Sequence, residues 1–294
     1  MTDLQKLSSS KHFGGKLEKY SHQSSSTNCV MTFNIYLPEA AVNGTKVPVL
    51  YCLGGLTSSE ENFATKAGAA SFAAKYGLAL VFPDTSPRNV DVPEAGVASD
   101  LGYGAGFYLT ATQEPWAKNW NMYDYVAKEL PALLDAQFPI DTKRQGITGH
   151  SMGGHGALTI FLKNQQNYTS ISAFAPILHP TNCAWGQKAF PAYLGDDATT
   201  WNNYDTIHLL RRYVSENNLR KDFKALIDQG TGDVFLEKQL FTNEFIQATK
   251  DLGIESQFEV RFQDGYDHGY YFISTFVADH IDHHAKALGL TAAQ

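Results

Sequence analysis

Arg144-Gln145-Gly146-Ile147-Thr148-Gly149-His150-Ser151-Met152-Gly153-Gly154-His155-Gly156-Ala157-Leu158-Thr159-Ile160-Phe161-Leu162 is the stretch on which the fold turns. It begins as a β-like run and ends as a helical run of small and apolar residues. Between the two stands Gly149-His150-Ser151-Met152-Gly153, a Gly-x-Ser-x-Gly pattern at a strand-to-helix junction. So sharp a turn makes side chains two before and two after the serine collide, and glycine removes the Cβ responsible. Ser151 is therefore predicted to hold a strained backbone conformation, with its hydroxyl exposed above the sheet. A glycine-rich turn without chemistry is the plain alternative, and the strand–turn–helix context argues against it.

Outward from this turn, short apolar runs alternate with helical ones. Strands are predicted over residues 32–37, 47–53, 78–82, 145–148, 171–174, 225–228 and 258–262, with helices over 123–138 and 241–252. Continuous apolar strands separated by helices predict an α/β fold, a mostly parallel sheet covered on both faces. Ligands of such sheets sit outside the carboxyl ends of the strands, where the turn places Ser151. A length of 294 residues suits a single domain over 1–294. Residues 176–220 read as irregular, with Trp185, Phe190, Tyr193, Trp201 and Tyr204 spread through them. A small cap over the site is expected there, in preference to a surface excursion packed on the body.

Composition narrows the partners. The formal charge of −7 and the lack of a basic stripe argue against nucleic acid. Cys29, Cys52 and Cys183 form neither a disulfide framework nor a zinc pattern, and Cys52 reads as a buried small hydrophobe. Met1-Thr2-Asp3-Leu4-Gln5-Lys6-Leu7-Ser8-Ser9-Ser10 has no apolar core of a signal peptide, and no later stretch reaches a membrane span. A cytoplasmic protein with no membrane partner is expected.

A serine hydroxyl needs a base within hydrogen-bond reach. In α/β-hydrolases the order along the chain is Ser, acid, His, with the base after the last strand. His268, in Gly265-Tyr266-Asp267-His268-Gly269, follows the run 258–262 and precedes a helical one. His150 adjoins the nucleophile and His155 lies four residues into its helix, so neither swings easily to Ser151. His280, His283 and His284 share an i, i+3, i+4 pattern, but no distant carboxylate completes a metal site. A solvated helix face is expected for them, and no metal or cofactor is implied. Asp228 and Asp233 both qualify as the acid by region. Asp228 is still within the strand, whereas Asp233 follows Gly230-Thr231-Gly232 on a loop able to reach the histidine, and it is the choice. Two backbone N–H groups are expected to hold the oxyanion. Met152 supplies one and Leu56, in Leu53-Gly54-Gly55-Leu56-Thr57-Ser58, the other, with Gly55 as the fallback.

With these residues assembled, nearly the whole chain resembles the S-formylglutathione hydrolase (esterase D) family. The resemblance runs from Asn28-Cys29-Val30-Met31 to the C-terminal helix. It includes residues 51–63, Pro83-Asp84-Thr85-Ser86-Pro87-Arg88, Gly104-Ala105-Gly106-Phe107-Tyr108, Pro115-Trp116, Gly149-His150-Ser151-Met152-Gly153-Gly154, Trp185-Gly186-Gln187-Lys188-Ala189-Phe190, Asp228-Gln229-Gly230 and Gly265-Tyr266-Asp267-His268. The family's triad falls on Ser151, Asp233 and His268, and its early oxyanion donor on Leu56. The resemblance implies hydrolysis of S-formylglutathione to formate and glutathione in formaldehyde detoxification, side activity on short esters, and a homodimer. Gly55, Ser58, Trp185 and Gly269 are expected to border the substrate pocket. Ser58 stands where the family usually has Cys, Cys52 where it usually has Trp, and Gly269 where it usually has Ser. These departures bear on acyl preference and remove no triad member. A general small-acyl carboxylesterase is the nearest alternative, and a non-catalytic binding module of the same fold is the more distant one.

Overall fold

In the computed structural model, which describes residues 3–292, the run predicted over 47–53 is strand β4 (Val47–Leu53), buried at every position. Burial of successive side chains means that both faces of the sheet are covered. Its neighbours are β5 (Ala79–Pro83) and β6 (Ile140–Gly149), both parallel to it. Beyond β6 come β7 (Ser170–Phe174), β8 (Ala225–Gly230) and β9 (Phe258–Gln263), again all parallel. On the other side β3 (Val30–Leu37) joins β5 antiparallel. The mostly parallel α/β sheet is thus as expected.

Two further strands, β1 (Gln5–His12) and β2 (Gly15–Gln23), extend the sheet to nine, in the order β1-β2-β3-β5-β4-β6-β7-β8-β9. Neither was expected, because β1 is polar and almost wholly exposed and carries no hydrophobic alternation. A two-residue turn makes the hairpin: His12 pairs with Gly15, and Phe13 and Gly14 have φ of 42° and 77°. Positive φ at both central positions matches the twist of paired strands. The lysines of β1 and its register shift at Lys6 to Ser8 protect a free edge from further pairing. Met1 and Thr2 of the N-terminal segment, with Ala293 and Gln294, lie outside the described residues. No helix among the described residues is long and apolar enough to cross a membrane.

Residues 176–220 are more regular than expected. They hold helices Ala184–Leu194, Ala198–Trp201 and Thr206–Ser215. Pro191 reads as a breaker yet sits inside the first helix, and Cys183 and Asp205 cap the first and last with side-chain acceptors. Phe190 packs on Phe107 with ring centroids 5.9 Å apart. Tyr193 donates its hydroxyl to Ala105 O at 2.8 Å and accepts from Gly102 N at 2.8 Å.

The histidines of the C-terminal helix, Tyr270–Ala287, do not form a solvated face. His280 and His284 are buried and His283 is half-buried, because this helix lies against the sheet. The helical spacing was read correctly and the face was assigned to the wrong side. His280 joins Asp228 at 3.2 Å and Ser172 at 2.9 Å. His284 joins Ser172 at 2.8 Å and Ser170 at 2.6 Å. Burial holds both imidazoles below their ordinary pKa.

Candidate active site

Ser151 has φ 57° and ψ −117°, the strained turn that the glycines predict. A Cβ on Gly149 would lie 2.2 Å from Gly153 O, and one on Gly153 would lie 2.1 Å from Leu53 O. The first glycine therefore relieves the turn itself, and the second lets it pass the end of β4. Hydrogen bonds from His150 N to Leu53 O (3.1 Å) and from Ser151 N to Phe174 O (2.9 Å) pin it between β4 and β7. Ser151 is 3% exposed and lies on the floor of a cavity. The cavity measures about 370 Å³ and is lined by Ser151 and His268 together.

Asp233 stands behind His268. Its Oδ2 lies 2.6 Å from His268 Nδ1 and accepts a bond of 3.2 Å from the Gln229 amide, while its Oδ1 accepts from Phe235 N at 2.8 Å. Burial raises the pKa of Asp233, but these donors and the charge of a protonated His268 outweigh it and hold the carboxyl below the usual range. Asp228, the rejected acid, is wholly buried and faces the other way. Arg261 grips it with Nε at 2.7 Å and Nη2 at 2.6 Å. Burial opposes its charge, yet Arg261 and His280 bring its pKa down to about 2. His150 is 4.6 Å from His268 between ring centroids, and burial together with that neighbour depresses its pKa strongly. It stays neutral and adds no second positive charge beside His268.

The loop after β4 approaches the serine closely: a Cβ on Gly55 would lie 3.2 Å from Ser151 Cβ. Thr57 N donates to Gly104 O and Ser58 N to Gly55 O. Among the described residues the Leu56 and Met152 N–H groups enter no hydrogen bond. The run Pro83-Asp84-Thr85-Ser86-Pro87-Arg88 braces this loop. Thr85 Oγ1 donates to Ser58 O, and Arg88 Nη2 donates to the same carbonyl at 2.9 Å while pairing with Asp84.

Gly55, Leu56, Ser58 and Trp185 line the cavity. Gly269 is not among its lining residues; it caps the C-terminal helix beside His268. Cys52 is buried in β4 and also lies off the cavity. Met152 is fully buried, so its side chain is core and only its backbone is placed to serve the site. Sequence reasoning missed Phe235 and Tyr270 on the cavity wall. Each follows a chosen residue by two positions, Phe235 after Asp233 and Tyr270, the first residue of the C-terminal helix, after His268. Asn62, from the run 51–63 that carries the resemblance, also lines it, and so does Asp100, from a segment the sequence did not single out.

A larger cleft of about 890 Å³, lined in part by Asp84, Arg88 and Lys118, contains neither Ser151 nor His268. Elsewhere His179, Asp205 and His208 have ligand-type atoms within 4.8 Å of one another. The Asp205 carboxylate is already engaged by His179 Nδ1 at 2.8 Å, Thr181 N at 3.1 Å and His208 N at 3.1 Å, so it serves as a helix cap.

Comparison with known proteins agrees with this architecture. A family model described as a putative esterase matches residues 24–283. The S-formylglutathione hydrolase of Arabidopsis thaliana is 52% identical, over 98% of this chain and 99% of that one. The S-formylglutathione hydrolase of Mus musculus is 48% identical, over 97% and 99%. A solved S-formylglutathione hydrolase from Agrobacterium tumefaciens superposes with a TM-score of 0.91 at 44% identity, covering 97% of this chain and all of that one. The strained serine turn, the histidine–aspartate pair on one cavity and this full-length similarity place the chain in the S-formylglutathione hydrolase family of α/β-hydrolase esterases.

Proposed function

We propose that this protein hydrolyses the thioester S-formylglutathione to formate and glutathione, through a triad of Ser151, His268 and Asp233. The observation that carries the mechanism is the 2.6 Å contact of His268 Nδ1 with Asp233 on the cavity that Ser151 floors. The substrate is supported by the family named above. Asp233 accepts a hydrogen bond from Nδ1–H and so keeps Nε2 free to take the proton of Ser151. The Ser151 oxygen attacks the thioester carbonyl, and the oxyanion is received by the Leu56 and Met152 N–H groups. The C–S bond breaks, glutathione leaves with the proton held by His268, and a formyl ester remains on Ser151. Water then gives a proton to His268 and its oxygen to the formyl carbon, releasing formate and restoring the serine. No hydrogen bond joins Ser151 to His268 among the described residues, and in resting enzymes that bond often closes only on the substrate complex.

Trp185, on the 176–220 excursion, forms part of the cavity wall, which supports reading the excursion as a small cap within a single domain. The unpaired, buried cysteines fit a reducing, cytoplasmic location. A homodimer follows from family resemblance alone and is tested by sedimentation. Short-chain esters serve as side substrates. The decisive experiment is hydrolysis of S-formylglutathione against a p-nitrophenyl ester series, with Ser151→Ala beside the wild type. The wild type is expected to prefer the thioester, and the variant to lose turnover of both while keeping its thermal midpoint. Substantial turnover by Ser151→Ala would refute the assignment.

A further inference from the structure

The formyl group is small, so most of the cavity must accommodate the leaving group. Among the described residues lining the cavity, Asp100 is the one with a permanent charge. It is paired with Lys188, an ion pair joining segments 88 residues apart. Lys188 lies three residues beyond Trp185 on helix Ala184–Leu194, on the same helical face, and Trp185 lines the cavity.

The pair does little for stability. Lys188 is 46% and Asp100 25% exposed, and water screens an exposed pair. Its location is better explained by recognition. Glutathione carries at its γ-glutamyl end an α-ammonium beside an α-carboxylate, a head group of no net charge. A carboxylate alone at the cavity would repel a ligand with two carboxylates. A carboxylate next to a lysine presents the complementary dipole: Asp100 meets the ammonium and Lys188 the carboxylate. The exchange replaces one exposed pair by two and leaves no charge unpaired.

The subsite is also held in place. Ser99 lines the cavity beside Asp100 and supplies a hydroxyl. Two residues on, Gly102 N donates to Tyr193 of the helix that bears Lys188, and Gly102 O accepts from Trp120 Nε1 at 3.1 Å. The two halves of the pair are thus fixed relative to one another before any ligand arrives, which lowers the ordering cost of binding.

We propose that Asp100 and Lys188 form the subsite for the zwitterionic amino-acid head of the leaving group, a proposal that rests on the thioester reading above. The test compares kcat/KM for S-formylglutathione with that for S-formyl-N-acetylcysteinylglycine, which keeps the thioester and the glycine carboxylate and lacks the head. Wild type, Asp100→Asn and Lys188→Gln are measured, with thermal midpoints as the folding control. The ratio of the two constants is expected to fall by about fivefold or more in each variant, chiefly through KM. A smaller fall in folded variants overturns the subsite while leaving the thioester reading intact. A wild type that hydrolyses p-nitrophenyl acetate but neither thioester overturns the thioester reading, and the subsite with it.

Discussion

Two aspartates five positions apart divide the labour at the end of β8. Asp233 leaves the strand and meets His268, whereas Asp228 stays in the strand and meets Arg261 and His280. Replacing each by asparagine separates the roles. Asp233→Asn is expected to lower kcat by about 10⁴-fold, as loss of the triad acid does in serine proteases, with a nearly unchanged melting curve. Asp228→Asn leaves a guanidinium short of its partner and is expected to cost about 3 kcal/mol in urea unfolding. Equal loss of activity in the two variants at equal stability would contradict the assignment. Spacing alone distinguished the two residues, because only the one past Gly230-Thr231-Gly232 has left the ladder. What spacing could not disclose was burial: Ser151, only 3% exposed, lies on a cavity floor.

At the scale of elements, legibility followed hydrophobicity. Strands β4, β5, β7 and β8 were readable because burial on both faces leaves continuous apolar runs, whereas β9 is partly exposed and β6 begins five residues before the run predicted. β1 and β2 escaped because an edge hairpin is held by backbone pairing and a turn, with β1 polar apart from an exposed Leu7. The C-terminal helix misled for the opposite reason, since polar side chains can be buried when hydrogen bonds satisfy them. That burial has a pH signature. His150, His155, His280 and His284 all have folded pKa values below the ordinary 6.5, His155 at about 4. Below about pH 6.5 the unfolded chain takes up protons that the folded chain refuses, so stability present at neutral pH is lost on acidification. Each such imidazole contributes a slope of up to about 1.4 kcal/mol per pH unit between its folded and unfolded pKa. Asp228 adds a second loss further down, as pH falls from about 3.9 through about 2. Urea midpoints measured from pH 7.5 to 5 should fall steeply below 6.5, and a flat profile would refute the account.

Over the whole molecule, the three thiols report on global opening. Cys29, Cys52 and Cys183 are buried, and burial raises the pKa of each, that of Cys183 to about 11. None presents an accessible thiolate at neutral pH. A thiol-modifying reagent at pH 7.5 is expected to leave the native protein unlabelled and fully active, and to label all three on unfolding in urea. Fast labelling of one thiol with loss of activity would place a reactive cysteine at the site, against the position of Ser58 on the cavity.

The buried chain beneath the sheet also fixes where its protons stand. A carboxylate only accepts, so His280 must donate from Nε2 to Asp228, which leaves Nδ1 without a hydrogen. Ser172 Oγ lies 2.9 Å from that nitrogen and 2.8 Å from His284 Nε2, and it also meets the Thr148 hydroxyl at 2.8 Å. Ser170 Oγ meets the other nitrogen of His284, Nδ1, at 2.6 Å. One fixed charge at Asp228 thus sets the tautomer of His280, at one end of a polar network running from β8 across β7 to the last helix. Asp228, His280 and Ser172 are the same three residue types as the proposed triad, in contact in the same order. Sealed from solvent and substrate, they act as a polar rivet, and access to a cavity is what separates them from Asp233, His268 and Ser151.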